Sequence, residues 1–492
     1  MHSLKARHLL LGLPLLIYLW MPSRNFYWDG VAFAINIEKQ QLPIADLLHP
    51  SHLIYALSGR WLFDGLNALG IHTRALFALQ TANSILAAAC IILVYTILRR
   101  RLLSEDASTA GALLFALSAT WWKFATDADA YIPSIFLLLC AWCILEIHGN
   151  AVVNAIIGGL VIAAAMLIHQ LAIFFVPVAM LQLKRPRHRV VCAAFAIVPT
   201  AVAYVFAYHL IAGSFTVHGF LAWITSHSPD SDFSFAPVKN AGFTLRGTLR
   251  LFLGGRVTEI VPGLLSAIAV AAMGSVLVAL AVHLRSFVKR SPVTWGLAHP
   301  PREMILWVLV YVVFLFFWMP QNTFYRLFYL APLVVVLGTA VRTIAIAAGI
   351  GRARAIPGLA LSLLALWNFV FLAYPQSRIE SNPPLRFALQ QRSGWPAGTP
   401  IVFHQFHPDL WTISYFNQQA AWIGLDRIDL AQLDRNLAYA HEQNQPLWLE
   451  ATAWDLLASD PTGRDWLVAH AEPNGPLIYR NSGREFRFHK VH

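Results

Sequence analysis

The feature that most limits what this chain can become is a succession of apolar runs, most of them near the length that crosses about 30 Å of hydrocarbon. They fall at 8–21, 74–98, 107–120, 132–147, 151–168, 171–183, 191–211, 260–284, 304–319, 327–341 and 357–374. With 57% hydrophobic and 12% charged residues over 492 positions, the chain is too apolar for a soluble multidomain protein, in which about a quarter of residues are charged. The expected class is a polytopic α-helical membrane protein with about 11 transmembrane helices.

A net charge of +11 fits either a nucleic-acid partner or the basic cytoplasmic loops of a membrane protein, so the placement of the charges decides. With the N-terminus inside, the cytoplasmic pieces hold 16 Lys and Arg in 59 residues, among them Lys5, Arg7, Arg99, Arg100, Arg101, Arg352 and Arg354. The outer pieces hold 9 in 120. This is the positive-inside pattern, and it argues against nucleic acid. Lys5 and Arg7 ahead of Leu9 to Met21 imitate a signal peptide, but Pro22 to Arg24 follow where a small-residue cleavage site would stand, so the run reads as an uncleaved first span.

An odd number of spans leaves the C-terminus outside. From about Pro375 the composition turns polar: "PIVFHQF", "PLWLEA" and "REFRFHKV" read as strands, with helices around 426–441 and 453–458. The expected organisation is a transmembrane domain over 1–375 and a small C-terminal extracytoplasmic α/β domain over 376–492. The four cysteines, Cys90, Cys140, Cys143 and Cys192, lie inside apolar runs. The C-x-x-C of "LLLCAWCIL" therefore reads as packing, not as a redox or metal pair.

Two outer loops, 22–73 and 212–259, are long, and loops of such length usually carry function. The first opens with "FYWDG". Phe26, Tyr27 and Trp28 suit an interfacial aromatic belt, but a belt gives no reason for Asp29. "VAFAINIEKQQ" reads as an amphipathic helix on the membrane surface. The spans are nearly free of ionisable groups, with Glu146, His209 and His283 near span ends; an ion-coupled transporter needs such groups at the midplane. Polar chemistry gathers instead at the outer interface: Asp29, Glu38, Asp46, His49 and His52, then Lys123, Asp127 and Asp129, then His169, Gln170, Gln321, Asn322 and Arg326. The chain has no nucleotide-cradling glycine loop, no H-E-x-x-H and no G-x-S-x-G.

Transfer of a sugar from a lipid phosphate would use such an interface. A carboxylate there removes the acceptor's proton, and cationic or amide groups stabilise the departing phosphate. Asp29 meets the first need; Lys123, Arg326, His49 or His52 meet the second. Each residue also has a plainer reading. Asp29 caps the helix that follows, and Asp127 and Asp129 either bind acceptor or metal or end a helix at the water surface. His49 and His52 are solvated loop histidines or phosphate ligands; His169 with Gln170 satisfies the turn between two spans. Arg326 snorkels to headgroups or binds a lipid phosphate, and Lys123 beside Trp121 and Trp122 is an anchor or a phosphate ligand.

"YWDGVAFAINIEKQQLPIADLLHPSHLIYALSGRWLF" resembles the first-loop pattern of GT-C type integral-membrane glycosyltransferases, the superfamily of the protein O-mannosyltransferases and the lipid A aminoarabinose transferases. In that pattern an acid follows the first span, an amphipathic helix comes next, and an H-P segment leads into a surface helix. "TWWKFATDADAYIPSIFLLL" is similar to their second-loop feature, where an acidic residue precedes the fourth span, and "LIHQLAIFFVPV" and "FFWMPQNTFYRLFYLAPL" resemble later spans. The chain carries Asp29-Gly30 where the protein O-mannosyltransferases have an adjacent Asp-Glu pair. The resemblance implies a GT-C-like fold, an undecaprenyl- or dolichyl-phosphate sugar donor, inversion at the anomeric carbon and Asp29 as general base.

The expectation is thus a glycosyltransferase of the outer membrane face, taking a polyprenyl-phosphate donor and a glycan, lipid or protein acceptor. Asp127 or Asp129 orients the acceptor or holds a divalent cation, and His49, His52, Lys123, His169 and Arg326 serve the phosphate. Two rival classes are a transporter or flippase of lipid-linked glycans and a non-catalytic envelope scaffold. Loss of turnover with retained fold in Asp29→Asn separates the transferase from the scaffold.

Overall fold

A computed structural model describes residues 12–39, 42–102, 105–147, 149–225, 233–290, 301–348, 355–472, 475–481 and 483–492. Lys5, Arg7, Arg352 and Arg354 of the basic pattern lie outside the described residues. Among the described residues five helices are long and apolar enough to cross a membrane: Ala75–Arg101, Ala151–Ile168, Pro186–Ala212, Leu264–Arg285 and Ala355–Gln376. Shorter apolar helical stretches run over Tyr131–Leu145, Gln170–Gln182 and Phe324–Thr339.

Several apolar runs that the sequence presents as continuous are segmented. Ser118 is extended between the helices Glu105–Leu117 and Ala119–Ala125, with its Oγ donating to the Leu114 carbonyl at 2.6 Å. Gln170–Phe175 is a 3-10 turn before the helix Val176–Gln182, which restarts with proline in its first turn. Phe324–Tyr329 is another 3-10 turn, and Phe369–Ala373 is a π-helical turn after the helix Ala355–Asn368. A break at membrane depth must have its backbone groups satisfied by protein. Asn368, wholly buried just before the π turn, does this work for the ends of two other helices, Glu105–Leu117 and Pro237–Phe252. Its Nδ2 donates to the carbonyls of Leu117 (2.8 Å) and Phe252 (2.7 Å), and its Oδ1 accepts from the Gly254 amide at 3.0 Å. Trp367 Nε1 donates to the Gly254 carbonyl at 3.0 Å. Gly255 follows with φ of +76°, and a Cβ there would stand 1.7 Å from the Phe371 carbonyl oxygen.

The chain divides into two compact units. One comprises Met1–Ser23 and Asn36–Pro375; the other comprises Arg24–Ile35 and Gln376–His492. In the first, Glu146 pairs with Arg100 (3.0 Å) and Arg101 (2.6 Å), and Glu38 pairs with Arg74 at 2.9 Å while accepting from the Ala75 amide at the start of the helix Ala75–Leu102.

The second unit holds a five-stranded sheet of β1 (Pro400–Phe403), β2 (Ala421–Gly424), β3 (Leu447–Glu450), β4 (Leu477–Asn481) and β5 (Arg484–Val491) in the order β2-β1-β3-β5-β4. β1 is parallel to β2 and β3, with Val402 opposite both Ile423 and Leu449, and β5 is antiparallel to β3 and β4. The period of two sorts the side chains into two cores. Leu447, Leu449 and Val491 pack with the helix residues Leu433, Leu457 and Trp466, whereas Ile401, Phe486 and Phe488 pack with Phe387, Leu410 and Trp395. The segment around Asp29 joins this unit. Phe26 stacks on Phe416 at 5.7 Å and Trp28 on Trp411 at 5.1 Å, both on the helix Pro408–Phe416. The aromatic run is therefore a packing element of this unit, in place of the interfacial belt expected from its position in the chain.

Candidate active site

Asp29 lies in the first turn of the helix Trp28–Glu38 and not ahead of it, so it is not the capping residue that its plainer reading required. Along that helix Val31, Phe33, Ala34 and Ile37 are buried, which is not the pattern of a helix lying on a membrane surface. Helix polarity at this position favours a carboxylate. Burial outweighs it and pushes the Asp29 carboxyl up to about 7. A carboxyl brought near neutrality is suited to taking and releasing a proton at physiological pH.

In the first unit, Asp127 and Asp129 are buried in the turn that leads into the helix Tyr131–Leu145. Asp127 Oδ1 accepts from the Ala128 amide at 2.8 Å, and Asp129 Oδ1 accepts from the Tyr131 amide at 3.4 Å. The turn is gripped from the helix Ala75–Leu102. Asn83 Nδ2 donates to the carbonyls of Asp127 (2.8 Å) and Asp129 (2.9 Å), Ser84 Oγ to that of Ala125 (2.9 Å), and Gln80 Nε2 to those of Thr126 (3.1 Å) and Ser23 (2.8 Å). Gln80, Asn83 and Ser84 stand at i, i+3 and i+4, hence on one helix face, and all three are buried. In the sequence they stand inside the apolar run 74–98. The signal was present, since polar side chains at helical spacing inside an apolar run face protein, not lipid.

This clamp gives a first test. Asn83→Leu keeps the branched shape but strands two buried carbonyls, each at a cost of about 1–3 kcal/mol. A marked fall in the thermal unfolding midpoint in detergent is expected; an unchanged midpoint would show that the turn is held by other means.

The three histidines assemble where the loop after the helix Trp28–Glu38 meets the end of the helix Ala151–Ile168. His49 and His52 stack at 5.8 Å between ring centres, and His52 meets the edge of His169 at 4.6 Å. His52 Nδ1 donates to the Ile168 carbonyl (3.3 Å), Ser51 accepts the Gln170 amide on its carbonyl (3.1 Å), and Tyr204 donates its hydroxyl proton to the Pro50 carbonyl (2.7 Å). His169 Nδ1 accepts from the Leu171 amide at 3.2 Å, which puts the ring proton on Nε2. Burial, and then the neighbouring His52, hold this imidazole well below the ordinary histidine range, so it is neutral. Its turn-satisfying reading is met at Nδ1, while Nε2 is buried with no hydrogen-bond partner among the described residues. Tyr131 links this group to the acidic turn, its ring 5.0 Å from His169 and its amide on Asp129. Asp127, Asp129, His49, His52 and His169 are thereby brought into one neighbourhood. Tyr131 and Tyr204, unmarked in the sequence, hold it together.

Arg326, on the turn Phe324–Tyr329, is wholly buried. Its Nη1 donates to the Tyr329 hydroxyl (3.0 Å) and its Nη2 to the Pro320 carbonyl (2.7 Å), and a Cβ on Gly247 would come within 2.3 Å of its Nε. It does not snorkel. Among the described residues no carboxylate lies within ion-pair distance of it. Lys123 is half-buried, with its ammonium 5.6 Å from the Phe124 ring centre. No group of three or more His, Cys, Asp or Glu among the described residues is placed to hold a metal ion.

The long apolar helices and their segmented partners, carried with a polar cluster at helix ends, give the chain the build of an integral membrane protein and a fold it shares with solved structures of ArnT. The solved structures that match it include two of ArnT from Cupriavidus metallidurans. The structure bound to undecaprenyl phosphate matches at a TM-score of 0.57 and 10% identity, covering 98% of this chain and 97% of that one. The apo structure matches at 0.56 and 11%, covering 100% and 98%. The apo oligosaccharyltransferase of Archaeoglobus fulgidus gives 0.46 and 12%, covering 98% of this chain and 74% of its own. By sequence, no family model and no curated protein matches.

Proposed function

We infer that the protein is a glycosyltransferase that moves a sugar from a polyprenyl-phosphate donor to a hydroxyl acceptor at the outer face of the cell membrane, with its N-terminus cytoplasmic and its C-terminal domain outside. The observation that carries this reading is the carboxyl of Asp29, which burial brings to about 7. The fold it shares with ArnT, solved in complex with undecaprenyl phosphate, supports the choice of donor. The carboxylate of Asp29 takes the proton of the acceptor hydroxyl as its oxygen bonds to the anomeric carbon. The bond from that carbon to the phosphate oxygen breaks, the configuration inverts, and polyprenyl phosphate leaves with the electron pair.

Asp127 and Asp129 orient the acceptor. Two carboxylates are too few to hold a divalent cation alone, so a cation bound there would draw its remaining oxygen ligands from water and substrate. Lys123 and His49, both half-buried, act on the departing phosphate with His52. Arg326 supplies a fixed positive charge and His169 a neutral N–H donor.

Release of polyprenyl phosphate by the purified protein from a panel of polyprenyl-phosphate sugars tests the reading; no release from any donor would overturn it. The pH dependence tests the base. A base works deprotonated, so kcat/KM should fall about tenfold per pH unit below a midpoint near 7 and level off above it. A flat profile through that region would exclude Asp29 from proton transfer.

A further inference from the structure

We propose that the helix Pro237–Phe252 is a binding site for the headgroup phosphates of anionic phospholipids. This helix lies in the second long outer loop, between the apolar helices Pro186–Ala212 and Leu264–Arg290, so both ends of its loop are tethered to membrane-crossing segments.

Its surface is divided into three sectors. Asn240, Gly247 and Leu251 are buried: the Asn240 amide donates to the Ser234 carbonyl (2.7 Å), and Gly247 admits the Arg326 side chain. The Arg250 carbonyl accepts from Thr120 Oγ at 3.0 Å, which further fixes the helix. A second sector is apolar and exposed, with Val238 87%, Leu245 65%, Leu249 58% and Leu253 49% accessible. Their spacing of seven, four and four residues makes one stripe. The third sector is Lys239, Arg246 and Arg250, all exposed, each one position after an apolar residue and so about 100° around the axis. The helix contains no acid.

An exposed apolar stripe of this length is unstable in water. A cationic stripe running parallel to it matches a layered surroundings, with hydrocarbon under one stripe and phosphates under the other. Lys239 to Arg250 spans about 16 Å along the axis, wider than a single phosphate. A row of phospholipid headgroups therefore fits better than the one phosphate of a carrier lipid. Arg250 is held below its ordinary pKa by partial desolvation against the protein and then by Arg246 and Arg256, a crowding of like charges that anions relieve.

The test is equilibrium binding of fluorescent phosphatidylglycerol and phosphatidylcholine to the purified full-length chain in neutral detergent. The wild type should prefer phosphatidylglycerol, with the preference falling as salt is raised. Each of K239Q, R246Q and R250Q should lose about fivefold in that preference, and the triple variant on the order of a hundredfold. R246K/R250K should retain it, which guards against a folding defect in the triple variant. Unchanged preference in the triple variant overturns the proposal. So does loss of undecaprenyl phosphate binding with phosphatidylglycerol binding intact, since that result assigns the stripe to the carrier lipid.

Discussion

Asp29→Asn is expected to lower glycosyl transfer by about two to four orders of magnitude, the usual share of a general base, with the donor still bound and the protein still folded. Asparagine matches the carboxylate in shape but cannot take the acceptor proton. The effect on stability has the opposite sign from the effect on turnover. The Asp29 carboxyl is raised from 3.8 to about 7 by burial, so the folded state favours its protonated form, and stability falls as pH rises between those values. Above pH 7 the wild type carries a half-buried charge that the variant lacks. The variant's thermal midpoint should therefore equal or exceed the wild type's at pH 8, and the difference should vanish near pH 3. Full turnover in the variant would place the base elsewhere; joint loss of turnover and fold would make Asp29 a structural residue.

Gly255→Ala should abolish accumulation of folded protein. Two effects add. The backbone at Gly255 has φ of +76°, which costs a residue with a Cβ about 1 kcal/mol. The larger effect is steric, because the new methyl would overlap the carbonyl of Phe371 at 1.7 Å, and its next neighbours are also backbone atoms. No rotamer can relieve this. The carbonyl belongs to the π turn Phe369–Ala373, itself fixed by the three hydrogen bonds of Asn368. Gly274→Ala is the control: it lies in the helix Leu264–Arg290 with nothing within 4 Å of its Cβ position. It should stabilise by about 0.5–1 kcal/mol. Monodispersity in detergent and the unfolding midpoint report both outcomes. A monodisperse Gly255→Ala protein with the wild-type midpoint would mean that this junction is loose.

The long apolar helices were legible because hydropathy over about twenty residues is a local property. Their interruptions were not. Whether a chain kinks at Ser118 or opens a π turn at Phe369 depends on what receives the released backbone groups, and Asn368 reaches segments more than a hundred residues away to do so. Asp29, Asp127, Asp129 and the histidines stood out by their chemistry at the ends of apolar runs. The clamp of Gln80, Asn83 and Ser84 was hidden, because three small polar residues vanish in the average of a long apolar run. Arg326 has the sequence position of an interfacial cation, and its burial rests on Gly247 leaving room for it. The stacking of Phe26 and Trp28 on Phe416 and Trp411 joins positions nearly four hundred residues apart, so no local pattern could announce it.

The grip on the Asp127 turn has a consequence for how such a protein changes over time. Gln80, Asn83 and Ser84 hold main-chain oxygens, which every amino acid supplies, so the frame is specified by one stretch of chain and the projecting groups by another. Exchange of Asp127 for Asn or Glu need not disturb the three donors beneath it. The side chains that the turn carries can then change by single substitutions while the scaffold that holds the turn stays as it is.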